Sequence, residues 1–308
     1  MTKMSKITPT SGSKTLVFFG SGPVAAAAID KLAKNFQIEA VVTKPKPAHH
    51  RGSFPVLDIA KKLGLKTLTV TDKKSLSELF KQKPATSRIG VVIDFGIIIG
   101  QDVIDYFPLG IVNSHFSLLP RWRGADPISF SILEGDAKTG VSLMVIDAGL
   151  DTGKLITQKS LKIEVDETTP SLTTKLIDLS DLLLSEYLPK YITGDIKPHY
   201  QPHPDRATHS RKLTKEDGLI DLSKPAEQIE REIRAFIDWP KSRTEIAGKE
   251  VIVTRARVSD KQLGVGQIAA EDKHLFVGTA DQSLEIEMIK PSGKSEMTAL
   301  AFLAGYKI

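Results

Sequence analysis

The sequence contains no cysteine in its 308 residues. Disulfides, thiolate metal sites and cysteine nucleophiles are therefore excluded, and the composition is typical of a protein of the reducing cytoplasm. No apolar run approaches the roughly 20 residues that a membrane-spanning helix needs. Residues 1–14 are polar and lack the hydrophobic centre of a signal peptide, so we interpret them as a flexible leader. A cytoplasmic protein that makes no membrane contact is expected.

Neither sign of charge dominates, because the formal net charge is only +5. Hydrophobic residues make up 41% and charged residues 26%, which excludes disordered and collagen-like classes. Residues 1–150 carry 19 Lys and Arg against 12 Asp and Glu, whereas residues 205–308 carry 17 of each. A basic first half suits a phosphate-bearing partner, and a solvated surface explains it almost as well.

The first half alternates short apolar runs with helical patterns. The runs that we interpret as strands are residues 16–20, 39–43, 65–70, 89–96 and 110–113. Helical patterns separate them, and this alternation predicts an α/β fold with a mostly parallel sheet covered on both faces. Ligands bind such sheets at the carboxyl ends of the strands. Asn113 falls at such an end.

A second domain is predicted after a proline-rich stretch at residues 196–209, which we interpret as a linker. An amphipathic helix is expected over residues 225–237. Short strands are predicted at residues 243–246, 249–258, 265–269, 274–279 and 283–290. Several short strands with turn signals are typical of a small barrel. The predicted division is a first domain at residues 15–195, the linker, and a second domain at residues 210–308.

Residues 110–127 hold an unusual density of polar chemistry. Asn113 and His115 stand two apart, so an extended chain places both side chains on one side, where they can address one reacting atom. Turn formation at a strand end is an equally ordinary role for such a pair. Asp151 lies in a glycine-flanked turn that holds a carboxylate on a loop. Asp151 can act together with His115 only if the fold brings the two side chains close to each other, which residue spacing alone cannot show.

Two other patterns point to cofactors. Gly20, Gly22 and Ala25 satisfy GxGxxA after the first strand, but the second strand ends in Val42-Thr43-Lys44 without the acidic residue of a dinucleotide site. His49 and His50 have no acidic or sulfur ligand near them in the sequence. We therefore expect neither a nicotinamide cofactor nor a metal.

Two motifs, NSHFSLLPRWRGADPI at 113–128 and DAGLDTG at 147–153, resemble the active-site signature of the folate-dependent formyltransferases. The likeness extends from LVFFGSGPVA at 16–25 to SGKSEMTALAFLAGYKI at 292–308 and covers residues 15–308. It implies a Rossmann-like formyltransferase domain followed by a small OB-like β-barrel that helps to hold tRNA.

The resemblance also implies a reaction. The formyl group of 10-formyltetrahydrofolate would pass to the α-amino group of methionyl-initiator tRNA, without a metal. Asn113 and a protonated His115 would stabilise the oxyanion, and Asp151 would keep His115 charged and oriented. PRWRGA and MTALAFLAGY favour tRNA as the acceptor. The alternatives are an amino sugar nucleotide as acceptor, hydrolysis of 10-formyltetrahydrofolate, and a catalytically silent folate- or RNA-binding protein.

The resemblance assigns binding residues as well, and we expect a monomer. Folate contacts are implied for Phe95, Gly96, Ile97, Ile98, Ile99, Ser117, Leu118, Leu119 and Pro120. Contacts with tRNA are expected for Lys44, Lys46, Arg51, Lys249, Arg255 and Arg257. Arg121 and Arg123 are suited to contact the glutamate of the folate or a substrate phosphate, and equally to remain exposed to solvent. We assign neither of them a role.

Three departures from the family pattern are present. Phe116 stands where the family usually has glycine, and Gly100 stands where it usually has proline. The loop at 44–53 is several residues shorter than the basic insertion that reads the acceptor end of tRNA in the family. Phe116 puts a bulky ring beside the expected catalytic donors, whereas the other two departures affect catalysis little. The shortened loop, which keeps only Lys44, Lys46 and Arg51, bears more on the recognition of tRNA.

Overall fold

The computed structural model describes residues 14–47, 49 and 52–306. The chain groups into two compact units. The first consists of the chain up to Arg123 together with Gly140–Leu161 and Lys175–Thr208, and the second of Gly124–Thr139, Lys162–Thr174 and the chain from His209 onward. The domain boundaries predicted from the sequence stay a prediction, and residues 1–13 of the predicted leader lie outside the described part.

The first unit is built on a seven-stranded sheet. Its strands are β1 (Thr15–Phe19), β2 (Gln37–Thr43), β3 (Thr67–Thr69), β4 (Gly90–Val92), β5 (Ile111–His115), β7 (Lys138–Val145) and β8 (Leu155–Lys162). The short strand β6 (Arg123–Gly124) lies between β5 and β7 in the sequence but is not part of this sheet. The order in the sheet is β3-β2-β1-β4-β5-β7-β8. Strands β1 to β5 run parallel, and β7 is antiparallel to β5. The predicted mostly parallel α/β sheet is confirmed.

Among the described residues, six α-helices accompany these strands along the chain. They are α1 (Pro23–Leu32), α2 (Pro55–Lys62), α3 (Lys73–Lys81), α4 (Gln101–Ile104), α5 (Pro127–Leu133) and α6 (Thr169–Thr193). Proline occupies the first turn of α1, α2 and α5, where its fixed φ and missing N–H cost nothing. Asp72 caps α3 by accepting a hydrogen bond of 2.8 Å from the Ser75 backbone. These local signals fix where the helices begin.

The fourth strand is shorter than the sequence predicts. It ends at Val92 instead of running on to residue 96, because Asp94 and Gly96 adopt positive φ values of 49° and 64° and turn the chain. Phe95 is nevertheless buried, with its ring centroid 5.7 Å from that of Phe19. The turn after β4 is thus anchored in the core by one aromatic side chain.

The second unit contains an antiparallel sheet. Its further elements are β9 (His209–Ser210), α7 (Ala226–Ala235), β10 (Ser242–Ile246), β11 (Lys249–Ser259), β12 (Ile268–Glu271), β13 (His274–Gly278), β14 (Ser283–Pro291), β15 (Met297–Thr298) and α8 (Ala299–Gly305). Five strands follow the order β10-β11-β14-β13-β12, and β15 pairs with β14. Ile229 and Ile233 of α7 and Phe302 of α8 cover its apolar face. The predicted small β domain at the C-terminal end is confirmed.

The proline-rich stretch at residues 196–209 makes backbone contacts with the first unit. His199 and Leu155 exchange two backbone hydrogen bonds of 2.8 and 2.9 Å, and residues up to Thr208 belong to the first unit. Within the described residues, no helix combines the length and the apolar character that crossing a membrane requires.

Candidate active site

Strand β5 presents Asn113 and His115 on one face. In the sheet, Asn113 lies opposite Val92 of β4 and Met144 of β7, at the end of the parallel strands. Ser114, between them, points the other way and shares a hydrogen bond of 2.7 Å with Ser180 of α6. The alternation expected of an extended strand is therefore present, and His115 is only 6% exposed.

The loop after β7 carries Asp151 and is closed by its own side chains. Oδ1 of Asp147 accepts hydrogen bonds from the Gly149 backbone at 3.0 Å and from the Thr152 hydroxyl at 2.6 Å. Gly153 leaves no room for a side chain, because a Cβ there would lie 1.9 Å from the Val145 carbonyl oxygen. Asp151 itself has a φ of 50°, a left-handed conformation that non-glycine residues adopt only when the surroundings impose it.

These elements bring Asp151 to the two side chains of β5. Its Oδ1 lies 3.3 Å from Nδ2 of Asn113, within hydrogen-bond distance, and its Oδ2 lies 3.7 Å from Nδ1 of His115. One carboxylate thus faces both the amide and the imidazole. The three residues that the sequence analysis named as catalytic candidates form a single cluster.

A backbone carbonyl fixes the ring of His115. Nε2 lies 2.8 Å from the carbonyl oxygen of Trp122. Because a carbonyl only accepts, Nε2 carries a proton, and Nδ1 is left facing the carboxylate of Asp151. Trp122 has a φ of 58°, and its backbone N–H donates to the Thr208 hydroxyl at 2.9 Å. One ring nitrogen therefore faces a backbone carbonyl and the other faces a carboxylate.

A buried network holds the segment from Ser117 to Pro120. The hydroxyl of Ser142 donates to the Ser117 carbonyl at 2.6 Å and accepts from the Leu119 N–H at 3.1 Å. Nε2 of Gln158 donates to the Leu119 carbonyl at 2.8 Å and to the Ser142 hydroxyl at 2.7 Å. Sequence reasoning missed Ser142 and Gln158. A serine inside the apolar run of β7 was the only signal for the first of them.

The residues predicted to contact folate differ in what they expose. Phe95 and Leu119 are buried and serve packing, with Leu119 beside Met144 and Leu155. Ile98 is 75% exposed. Gly96 is also exposed, whereas Ile97, Ile99, Leu118 and Pro120 are half-buried and Ser117 is buried. Backbone and half-buried side chains, rather than the buried rings, are therefore what these two segments can offer to a ligand.

Two of the three departures from the family pattern lie entirely within the described residues. Phe116, which replaces the usual glycine, is buried. Gly100 forms the N-cap of α4, where its φ of −75° is open to any residue. The additional ring of Phe116 is therefore accommodated in the interior of the fold.

The cations predicted to contact tRNA lie in several environments. Arg255 forms an ion pair with Glu287, and Arg257 with Glu285, whose oxygen lies 2.8 Å from the guanidinium. The hydrogen bond that Arg257 donates to Glu285 raises the pKa of Arg257. Lys249 is exposed. The charge of the two arginines is therefore partly compensated.

The loop after β2 is described only in part. Lys46 is exposed and Lys44 is half-buried, and Nζ of Lys44 would lie 3.1 Å from a Cβ built on Gly96. Arg51 lies outside the described residues. Lys44 therefore borders the turn after β4. In the described parts of the chain, no group of three or more histidine, aspartate and glutamate residues is arranged to hold a metal ion.

Comparison with known proteins covers nearly the whole chain. Residues 13–188 match the formyl transferase family model, and residues 212–307 match the formyl transferase C-terminal domain. The methionyl-tRNA formyltransferase of Roseiflexus castenholzii is 37% identical, covering 96% of this chain and 97% of the relative. That of Myxococcus xanthus is 35% identical, with 95% of each chain covered.

A similar fold is present among solved structures. The N-formyltransferase of Helicobacter canadensis, solved with folinic acid and dTDP-3-aminofucose, has a TM-score of 0.67. It is 20% identical in sequence, covering 89% of this chain and 98% of that chain. At this identity the likeness concerns the fold.

Proposed function

The chain belongs to the formyl transferase family, and on that premise we propose that it transfers the formyl group of 10-formyltetrahydrofolate to the α-amino group of methionyl-initiator tRNA. The acceptor is supported by the names of relatives that are 37% and 35% identical over nearly the whole chain. The alternative acceptor is a nucleotide-linked amino sugar, like the dTDP-3-aminofucose of the Helicobacter canadensis complex. The support for this alternative is a similarity of fold at 20% sequence identity.

The proposed reaction begins when the amine nitrogen attacks the formyl carbon. The carbonyl electrons move onto the oxygen, and a tetrahedral intermediate forms. Collapse of this intermediate breaks the bond to N10 of the folate, so tetrahydrofolate leaves with one proton while the amine gives one up. The products are N-formylmethionyl-tRNA and tetrahydrofolate. The chain's part in this sequence is to stabilise the oxyanion and to move that proton.

Asn113 and His115 supply the donors. The Asn113 amide carries two hydrogens, of which Asp151 accepts one, so the other can reach the oxyanion. Nδ1 of His115 is 3.7 Å from Asp151, beyond ordinary hydrogen-bond distance, and its proton is therefore available as the second donor. A preorganised donor of this kind contributes about 3 kcal/mol to the transition state.

Asp151 has two parts in the proposal. Its negative charge beside the imidazole favours the doubly protonated ring that donation to an oxyanion requires. Its carboxylate, directly or through water, also accepts the proton that the attacking amine releases. The approach of one carboxylate to both donors at the end of β5 is the observation that carries this mechanism.

The half-buried segments next to the catalytic cluster suit a folate. Ser117–Pro120 is held rigid by Ser142 and Gln158, and Phe95 anchors the turn that includes Gly96–Ile99. Fixed backbone groups beside half-buried apolar side chains are what a flat, polar-edged pterin needs. We therefore keep both segments as the proposed folate site.

An acceptor assay tests the function. The protein is incubated with 10-formyltetrahydrofolate and either methionyl-initiator tRNA or a nucleotide-linked amino sugar, and formylated product is quantified. We expect N-formylmethionyl-tRNA and no formylated sugar. Formylation of the sugar alone would overturn the acceptor, release of formate without an acceptor would indicate a hydrolase, and folate binding without turnover would indicate a silent binding protein.

A further inference from the structure

Gln201 is a buried glutamine whose amide is bonded entirely to the surroundings of the catalytic cluster. Its Nε2 donates to the carbonyl oxygens of Asp151 at 2.7 Å and of Gly153 at 2.9 Å. Its Oε1 accepts a hydrogen bond of 2.7 Å from the guanidinium of Arg123. Gln201 is 7% exposed, and Arg123 is buried as well. Three hydrogen bonds thus meet at one side chain.

The two donated bonds hold the turn that carries Asp151. They bind the carbonyls on both sides of Thr152, in a stretch where Asp151 adopts a positive φ. A non-glycine residue keeps that conformation only where its neighbours impose it. The paired backbone bonds between His199 and Leu155 place Gln201 alongside this stretch. Gln201 therefore supplies the external restraint that this turn requires.

The hydrogen bond that Gln201 accepts connects it to Arg123, next to the backbone that orients His115. Arg123 directly follows Trp122, whose carbonyl faces Nε2 of His115. The backbone N–H of Arg123 donates to the Thr208 carbonyl at 2.9 Å, so the backbone around Trp122 is fixed from the same stretch of chain as Gln201. One contact between a guanidinium and an amide thus links the support of His115 to the loop of Asp151.

We propose that Gln201 and Arg123 are positioning residues that set the distance between the imidazole of His115 and the carboxylate of Asp151. The inference rests on the proposed function, since it concerns the rate of that same transfer. It also gives Arg123 a role, because its buried guanidinium reaches inward to Gln201.

The substitution Gln201→Glu distinguishes the hydrogen bond that Gln201 accepts from the two that it donates. A carboxylate still accepts from Arg123, and the ion pair supports folding, but both amide donors are lost and an oxygen is forced against two carbonyl oxygens. We expect kcat to fall about ten- to a hundred-fold, since misplacement of a catalytic group by about 1 Å costs up to that factor. The KM for the formyl donor should change less than about threefold, because the folate segments keep their supports.

Gln158→Glu is the matched comparison. It also removes an amide that donates to a backbone carbonyl, but at Leu119 in the proposed folate segment. It should raise KM for the formyl donor more than it lowers kcat, the reverse of Gln201→Glu. Arg123→Met provides a second route to the same contact, with the donors of Gln201 left in place, and should lower kcat about tenfold or less.

A measurement without an acceptor keeps the inference separate from the proposed function. The ring ¹⁵N resonances of His115, assigned in labelled protein by their loss in His115→Asn, should shift in Gln201→Glu and Arg123→Met. If wild-type protein formylates no methionyl-tRNA, the function fails while these resonances still decide the positioning. A folded Gln201→Glu with wild-type kcat and unshifted resonances would overturn the inference, and so would the failure of both variants to fold.

Discussion

Oδ2 of Asp151 lies 3.7 Å from Nδ1 of His115, while Oδ1 of the same carboxylate accepts from Asn113. The carboxylate of Asp151, on a loop distant in sequence, therefore faces both Asn113 and His115 at the end of β5. The carboxylate is held by its backbone conformation and the imidazole by a carbonyl. Substitutions in this cluster, and in the networks that support it, should therefore have distinct and measurable effects.

Replacing Asn113 by alanine should impair the chemical step far more than binding. In the proposed mechanism the amide acts on charge that appears only during the reaction, so we expect the single-turnover rate to fall about 100- to 1,000-fold. The affinity for the formyl donor, measured by fluorescence titration, should change little. Asn35→Ala removes an exposed amide that contacts Ser185 and serves as the control. Equal losses in rate and affinity would make Asn113 a binding residue.

Replacing Asp151 by asparagine should remove the charge while keeping the shape. In the proposed mechanism, the imidazole then loses its negatively charged partner and the attacking amine loses its proton acceptor. We expect kcat to fall about 100- to 10,000-fold, the range for loss of acid–base catalysis. Steady-state formylation measures this, with Asp105→Asn, an exposed aspartate that contacts Gln101, as the control. A loss below about threefold would exclude Asp151 from the mechanism.

Ser142→Ala should weaken both stability and the formyl-donor site. It leaves the Ser117 carbonyl and the Leu119 N–H without their buried partner, at a cost of about 1–3 kcal/mol in unfolding free energy. KM for the formyl donor should rise several-fold. Urea denaturation and kinetics measure the two effects.

Ser180→Ala provides the comparison for Ser142→Ala. It also loses a buried hydroxyl hydrogen bond, to Ser114, and should destabilise by a similar amount without changing this KM. A KM that rises equally in both serine variants would show that general loosening of the fold, rather than the Ser142 network, shapes the proposed folate segment.

Glu285 should make stability depend on acidity. Burial raises its pKa, but hydrogen bonds from Arg257 and His274 outweigh burial and hold the pKa below the ordinary value. The carboxylate therefore stabilises the fold at pH values above its unfolded pKa, and this contribution is lost as the pH falls through the lower, folded-state pKa.

Glu285→Gln tests that linkage. It should lower the unfolding free energy by about 1 kcal/mol at pH 7 and by less at an acidic pH below the folded-state pKa, where the wild-type carboxylate is protonated as well. Denaturant titrations at the two pH values measure the difference, and Glu296→Gln, at an exposed position, is the control. A pH-independent loss would show that packing, not charge, accounts for the effect.

The sequence predicts what depends on local periodicity and turn chemistry. The alternation of β5 places Asn113 and His115 on one face, and proline in the first turn of α1 and of α2 marks where these helices begin. The proximity of Asp151 to these two side chains depends on the left-handed backbone conformation of Asp151 and on Gly153, where a side chain would not fit. Residue spacing reveals neither feature.

Other parts of the site leave little or no trace in the sequence. The Trp122 carbonyl that fixes His115 belongs to the backbone, which every residue shares. Gln201 lies in a proline-rich stretch that is typical of a linker, and Arg123 is of a type that is usually exposed. Burial and long-range contact determine their roles, and both arise only when the sheet has formed.

The most direct test of the shared charge is a double-mutant cycle on the single-turnover formylation of methionyl-tRNA, with Asn113→Ala, Asp151→Asn and the double variant. If both residues act on one transition state, the rate lost in the double variant should be at least about tenfold smaller than the product of the two single losses. Losses that multiply would show that Asn113 and Asp151 act independently, and would contradict the account.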